Sequence, residues 1–135
     1  MSFIKRFVHL FYPPIMVFTF HLICDQIFHM YQRFPVFDIP MHILGGIAMG
    51  LTGYLMLCYA QKELNVVIPQ RIVQWILITF WVVFTTVIWE FAEFLGDYFF
   101  GTHMQMGLAD TMGDMFMGLM GGVVVGAVCI YKKKK

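Results

Sequence analysis

Residues 72–89 read IVQWILITFWVVFTTVIW, eighteen consecutive positions without a charged side chain. An α-helix rises about 1.5 Å per residue and the hydrocarbon layer of a bilayer is about 30 Å thick, so such a run predicts a membrane-crossing helix. Arg71 stands just before it and Glu90 just after it, and the apolar pattern carries the predicted span over residues 71–95. Three further stretches of the same kind lie outward from it, at residues 11–30, 39–60 and 108–131. The whole chain is 60% hydrophobic and only 13% charged, a balance that a soluble domain of 135 residues could not hide from water. The expected fold is an all-α integral membrane protein, a compact bundle of four transmembrane helices forming one domain over residues 1–135.

Prolines mark helix starts, because a first-turn residue needs no amide donor. Pro13 and Pro14, Pro40 and Pro69 are read in that way. Residues 3–12 then form either an interfacial segment or part of the first span. The first apolar run, residues 7–30, shows no small-residue cleavage site, so the N-terminus is expected to be retained.

Lys5 and Arg6 precede the first span, Lys62 and Arg71 flank the second connection, and Lys132, Lys133, Lys134 and Lys135 follow the fourth span. Arg33 alone falls on the other side. The positive-inside rule therefore predicts that both termini are cytoplasmic. The lysine tail reads as an anchor beside anionic head groups.

The acids have the opposite distribution. Asp25, Asp38, Glu90, Glu93, Asp97, Asp110 and Asp114 fall in the outer half, and only Glu63 lies on the cytoplasmic side. Counting about 1.5 Å per residue from the basic end of each span puts Glu90 and Asp114 about 27–29 Å up, with Glu93, Asp110 and His42 at about 30–33 Å. Asp38 and His42 are four apart, Glu90 and Glu93 three apart and Asp110 and Asp114 four apart, so each pair shares one helix face. His21, Asp25 and His29 repeat that interval on the first span. Carboxylates crowded into a low-dielectric region must take up protons or bind cations. The candidate metal ligands are Asp38, His42, Glu90, Glu93, Asp110 and Asp114, with Glu93 also the candidate catalytic base.

These residues sit in three runs, FDIPMHILGGIAMG at 37–50, WEFAEFLGDYFFGT at 89–102 and LADTMGDMFMGLMGG at 108–122. The pattern over residues 38–122, resting on Asp38, His42, Gly46, Glu90, Glu93, Asp110 and Asp114, resembles a family of small bacterial membrane proteins related to YjdF and, more distantly, to VanZ-like proteins. The resemblance implies a multi-pass protein of the bacterial cytoplasmic (inner) membrane and adds weight to these residues as a set. It implies no activity.

Each candidate also has a plainer reading. Asp38 precedes Ile39 and Pro40 as a helix cap would, and Glu93 and Asp97 lie where interfacial charges are ordinary. A lone His42 would be a hydrogen-bonded structural histidine, but Asp38 one turn away is the partner a ligating histidine needs. Gly118, Gly122 and Gly126, like Gly46 and Gly50, recur every four residues and allow close helix approach, within one chain or in a homo-oligomer. Cys24, Cys58 and Cys129 have no paired spacing and read as small hydrophobes.

A donor set rich in Asp and Glu with one His favours divalent Zn, Mn, Fe, Mg or Ca, as one ion or two. The methionines around His103 read as packing and loop contacts rather than a copper site. The di-iron pairing of Glu with His three residues apart is replaced here by Glu90 and Glu93. Three function classes follow: a metal-dependent hydrolase acting on a lipid or its head group, a cation or proton transporter or channel subunit, and a structural or accessory membrane protein. The expected partner is membrane lipid. No nucleophilic Ser–His pair, phosphate-cradling loop or nucleic-acid patch is evident.

Overall fold

The computed structural model describes residues 3–132, so Lys133, Lys134 and Lys135 of the basic tail lie outside the described residues. Helix α1 (Phe3–Gln26) is followed by a short α2 (Met30–Arg33) and a 3-10 turn (Pro35–Phe37), then by α3 (Asp38–Glu63), α4 (Arg71–Phe100) and α5 (Leu108–Lys132). Four helices among the described residues, Lys5–Gln26, Asp38–Glu63, Arg71–Phe100 and Leu108–Lys132, are long and apolar enough to cross a membrane. The chain is an all-α membrane protein. Helices satisfy their own backbone polar groups, which is why they can cross hydrocarbon that supplies no hydrogen bonds.

The last three spans match the expected stretches to within a few residues, whereas the first does not. Pro13 and Pro14 lie inside α1 rather than at its start, and residues 3–12 continue the same helix. A proline in mid-helix removes an amide donor and crowds the carbonyl four residues back. In lipid the rest of the helix still holds, because leaving the helix would orphan more backbone groups. The first span also ends earlier than residue 30. His29 takes a left-handed conformation, φ 51°, which breaks the helix and starts α2. Pro40 does occupy the first turn of α3, while Pro69 precedes α4 without entering it.

Packing centres on α3, which contacts α1, α4 and α5. A Cβ on Gly46 of α3 would fall on the carbonyl of Gly118 in α5, and one on Gly122 would come within 2.5 Å of Val82 in α4. Gly50 faces Gly122, and Gly126 faces Ile78. Without a hydrophobic driving force between helices in lipid, such close backbone approach is what dispersion needs. The glycine faces that could have met a second subunit are therefore used inside the chain. Leu57, Ile78 and Ile130 bury one end of the bundle. Bulky side chains such as Phe80 and Phe91 are exposed, as lipid-facing residues are.

The charge asymmetry survives folding. Arg6 at the start of α1 lies over the Tyr59 ring near the end of α3, 5.1 Å from its centroid. Arg71 at the start of α4 donates to the carbonyl of Tyr131 in the last turn of α5. The basic ends thus form one end of the bundle, and the acid-bearing ends form the other.

Candidate metal centre

The depths counted from the sequence predict that α3, α4 and α5 bring ligating groups to one level, and they do. Nε2 of His42 lies 3.3 Å from Oδ1 of Asp38, one turn away on α3, and 3.7 Å from Oδ1 of Asp114 on α5. Asp38, His42 and Asp114 form one group whose ligand atoms all lie within 4.8 Å of one another. His42, Glu90 and Glu93 form a second group by the same measure. His42 belongs to both. It is the point at which three spans meet chemically.

Burial separates these acids from ordinary interfacial charges. Glu90 is 6% exposed and Asp114 5%. A carboxylate so enclosed needs hydrogen bonds, an opposite charge or a proton. The Gln105 side chain donates to Glu90 Oε2 at 3.2 Å and to the Glu90 carbonyl at 3.1 Å, folding the 101–107 loop over this end of the site. His42 is the basic group within ion-pair distance of Asp38 and Asp114. Glu93 accepts from the indole of Trp89 at 2.7 Å through Oε1.

Asp110 is not brought into either group. Its Oδ2 accepts the backbone N–H of Met106 at 2.9 Å, tying the loop to the first turn of α5, where an acid also suits the helix dipole. Asp97 has a comparable task, accepting from the Thr102 hydroxyl at 2.6 Å and from the N–H groups of Met104 and Gln105 at 2.7 and 2.9 Å. Asp110, expected as a ligand, and Asp97, which was not, thus both organise the loop. Of the His21, Asp25 and His29 stripe, only His21 reaches the site region. Asp25 is held by Gln26 at 2.6 Å, and His29 is exposed at the break after α1.

Tyr31 and Gln105 had no signal in the sequence, since neither the four-residue α2 nor the 101–107 loop has a periodicity that would place its side chains. The Tyr31 hydroxyl lies 2.6 Å from Nδ1 of His21. Burial, with Asp38 and Asp25 close by, holds its phenol well above the usual range, so it keeps its proton. His21 meets the Trp89 ring edge to face at 6.2 Å, and Trp89 holds Glu93. Aromatic contacts thereby link the first span to the cluster of acids around His42.

Below this network a cavity of about 580 Å³ opens among α1, α3 and α4. His21, Tyr31, Asp38, His42, Glu90 and Glu93 line its polar end. The volume falls in the range of small-molecule pockets, about 300–1,000 Å³.

The family model of a predicted membrane protein, DUF2238, matches residues 2–135. The chain belongs to that family. No curated protein and no solved structure matches it.

Proposed function

We propose that this member of the DUF2238 membrane-protein family holds a divalent cation on Asp38, His42, Glu90, Glu93 and Asp114 and uses it to hydrolyse a phosphate or carboxylate ester at a lipid head group. The supporting observation is that two groups of ligand atoms, drawn from three helices, share His42. Four carboxylates around one imidazole are costly when ionised together, and a bound cation offsets that cost. Carboxylate oxygens with one imidazole suit Zn, Mn, Fe, Mg or Ca. The two groups leave room in the proposal for one ion or two.

Asp38, His42, Glu90, Glu93 and Asp114 would hold the ion, which when bound would supply Lewis-acid chemistry to a water and to the ester oxygen. Glu93 is the base in this reading. One of its oxygens accepts from Trp89, and the carboxylate takes the proton of the attacking water. The water oxygen bonds to phosphorus or carbonyl carbon, the bond to the alkoxide leaving group breaks, and the proton passes from Glu93 to that alkoxide. The orientation belongs to the same proposal: basic end in the cytoplasm, cluster near the outer head groups, in a bacterial cytoplasmic membrane. So does the kinship with YjdF and, more distantly, VanZ-like proteins.

Elemental analysis of protein purified in mild detergent, paired with ester hydrolysis and melting curves with and without chelator, tests the reading. Stoichiometric divalent metal that is absent from a Glu90→Ala/Asp114→Ala variant that still inserts, with chelator-sensitive hydrolysis, is the expected result. A metal-free preparation equally stable and active in chelator overturns it and favours a proton or cation pathway through the same acids. Bound metal without hydrolysis leaves a structural role.

A further inference from the structure

The cavity is polar only at one end. Phe7, Phe11, Ile15 and Phe18 follow one another at three- and four-residue steps along α1 and all line it, with Met49 of α3 and Phe84 of α4 opposite. From Phe7 to His21 the helix rises about 21 Å, more than half of a ~30 Å hydrocarbon layer. Helices α1 and α4 meet through Phe18 and His21 against Trp89, so their aromatic contact closes the polar end. The floor is α3, where Gly45 and Gly46 line the space. A Cβ added at Gly45 meets nothing within 4 Å, whereas one at Gly46 meets α5. A glycine facing open space inside a membrane helix is not explained by packing, and here it widens the cavity.

We propose that this cleft admits one hydrocarbon chain of a bilayer phospholipid sideways between α1 and α4, with the phospholipid head lying against His21, Tyr31, His42 and Glu93. A cleft this long and apolar, bordered by lipid, is filled by hydrocarbon, because water there would find no hydrogen-bonding partners. Its polar end calls for a molecule that is polar at one end only, which a bilayer phospholipid is. The proposal rests on the hydrolase reading for what happens to the head. The place of the chain does not depend on it.

The test uses the full chain in phosphatidylcholine vesicles containing a phospholipid with a diazirine near the end of one acyl chain. After illumination, labelled peptides are mapped by mass spectrometry. Enrichment on the cavity side of α1 and on Phe84 over the outward-facing Phe80 and Phe91 is expected. Gly45→Phe, whose Cβ meets nothing within 4 Å and whose ring is meant to occupy the cleft, is expected to lower cavity labelling about tenfold, the equivalent of about 1.4 kcal/mol of occupancy. Should Gly45→Phe fail to insert, Ile15→Trp on exposed α1 gives the same reading. Glu90→Gln/Asp114→Asn should keep the labelling while losing metal, so failure of the chain site and failure of the metal reading are seen separately. Label spread evenly over lipid-facing residues, and unchanged in both cavity-filling variants, overturns the proposal.

Discussion

Nε2 of His42 on α3 lies 3.7 Å from Oδ1 of Asp114 on α5, joining residues seventy-two positions apart in the chain. The same imidazole groups with Glu90 and Glu93 of α4, so it is common to both candidate ligand sets.

His42→Ala should therefore weaken metal binding more than loss of any single carboxylate. Disturbing only the partners of a ligand already costs about 10–100-fold in affinity, and removing a shared ligand should exceed that. Titration of metal into apoprotein checks this. Because ligands bind metal only when deprotonated, affinity in the unmodified protein should rise with pH and metal should be released on acidification. Equal affinity in His42→Ala and in the unmodified protein contradicts the shared role.

Asp110 and Asp114 should behave differently despite lying on one helix face. Asp114→Asn removes a buried candidate ligand and should abolish stoichiometric metal. Asp110→Ala should leave the metal in place and loosen the 101–107 loop, at a cost of about 0.5–2 kcal/mol, as for loss of a cap. Elemental analysis and melting temperature read the two outcomes. Loss of metal from Asp110→Ala would return Asp110 to the ligand set.

Gly45 and Gly46 offer a sharp comparison between neighbours. Gly46→Ala places a methyl on the Gly118 carbonyl, so α3 and α5 must separate, costing about 1–3 kcal/mol as overpacked sites do. Gly45→Ala meets nothing and should be neutral or stabilising by up to about 1 kcal/mol, the helix-propensity difference. Unfolding in mixed detergent micelles measures both. Similar effects at the two positions would contradict the packing of α3 on α5.

Topology is tested by reporters fused after Lys135. A cytoplasm-active reporter should work there and a periplasm-active one should not, because the basic residues collect at the end of the bundle where α1 begins and α5 ends. The reverse result would place the acid cluster on the cytoplasmic side.

The acids Asp38, Glu90, Glu93 and Asp114 and the base His42 were legible because a helix converts residue number into depth and face. Asp110 shows where that conversion stops. It has the right depth and spacing, yet its carboxylate turns to a backbone N–H of the adjoining loop. Rise and period say nothing of which neighbour a side chain finds at a helix end.

The sequence by itself determined the membrane class, three of the four spans to within a few residues, the segregation of acids from bases and most of the cluster of acids around His42. These follow from local quantities: hydropathy, helical rise and the position of charge. Tertiary structure alone decided that Pro13 and Pro14 lie within a continuous helix, that Tyr31 and Gln105 reach the site, that the glycine faces close on one another within the chain, and that an apolar cleft lies between α1 and α4. Each depends on which helix packs against which, and that choice is made by dispersion contacts between distant residues, which no local pattern encodes.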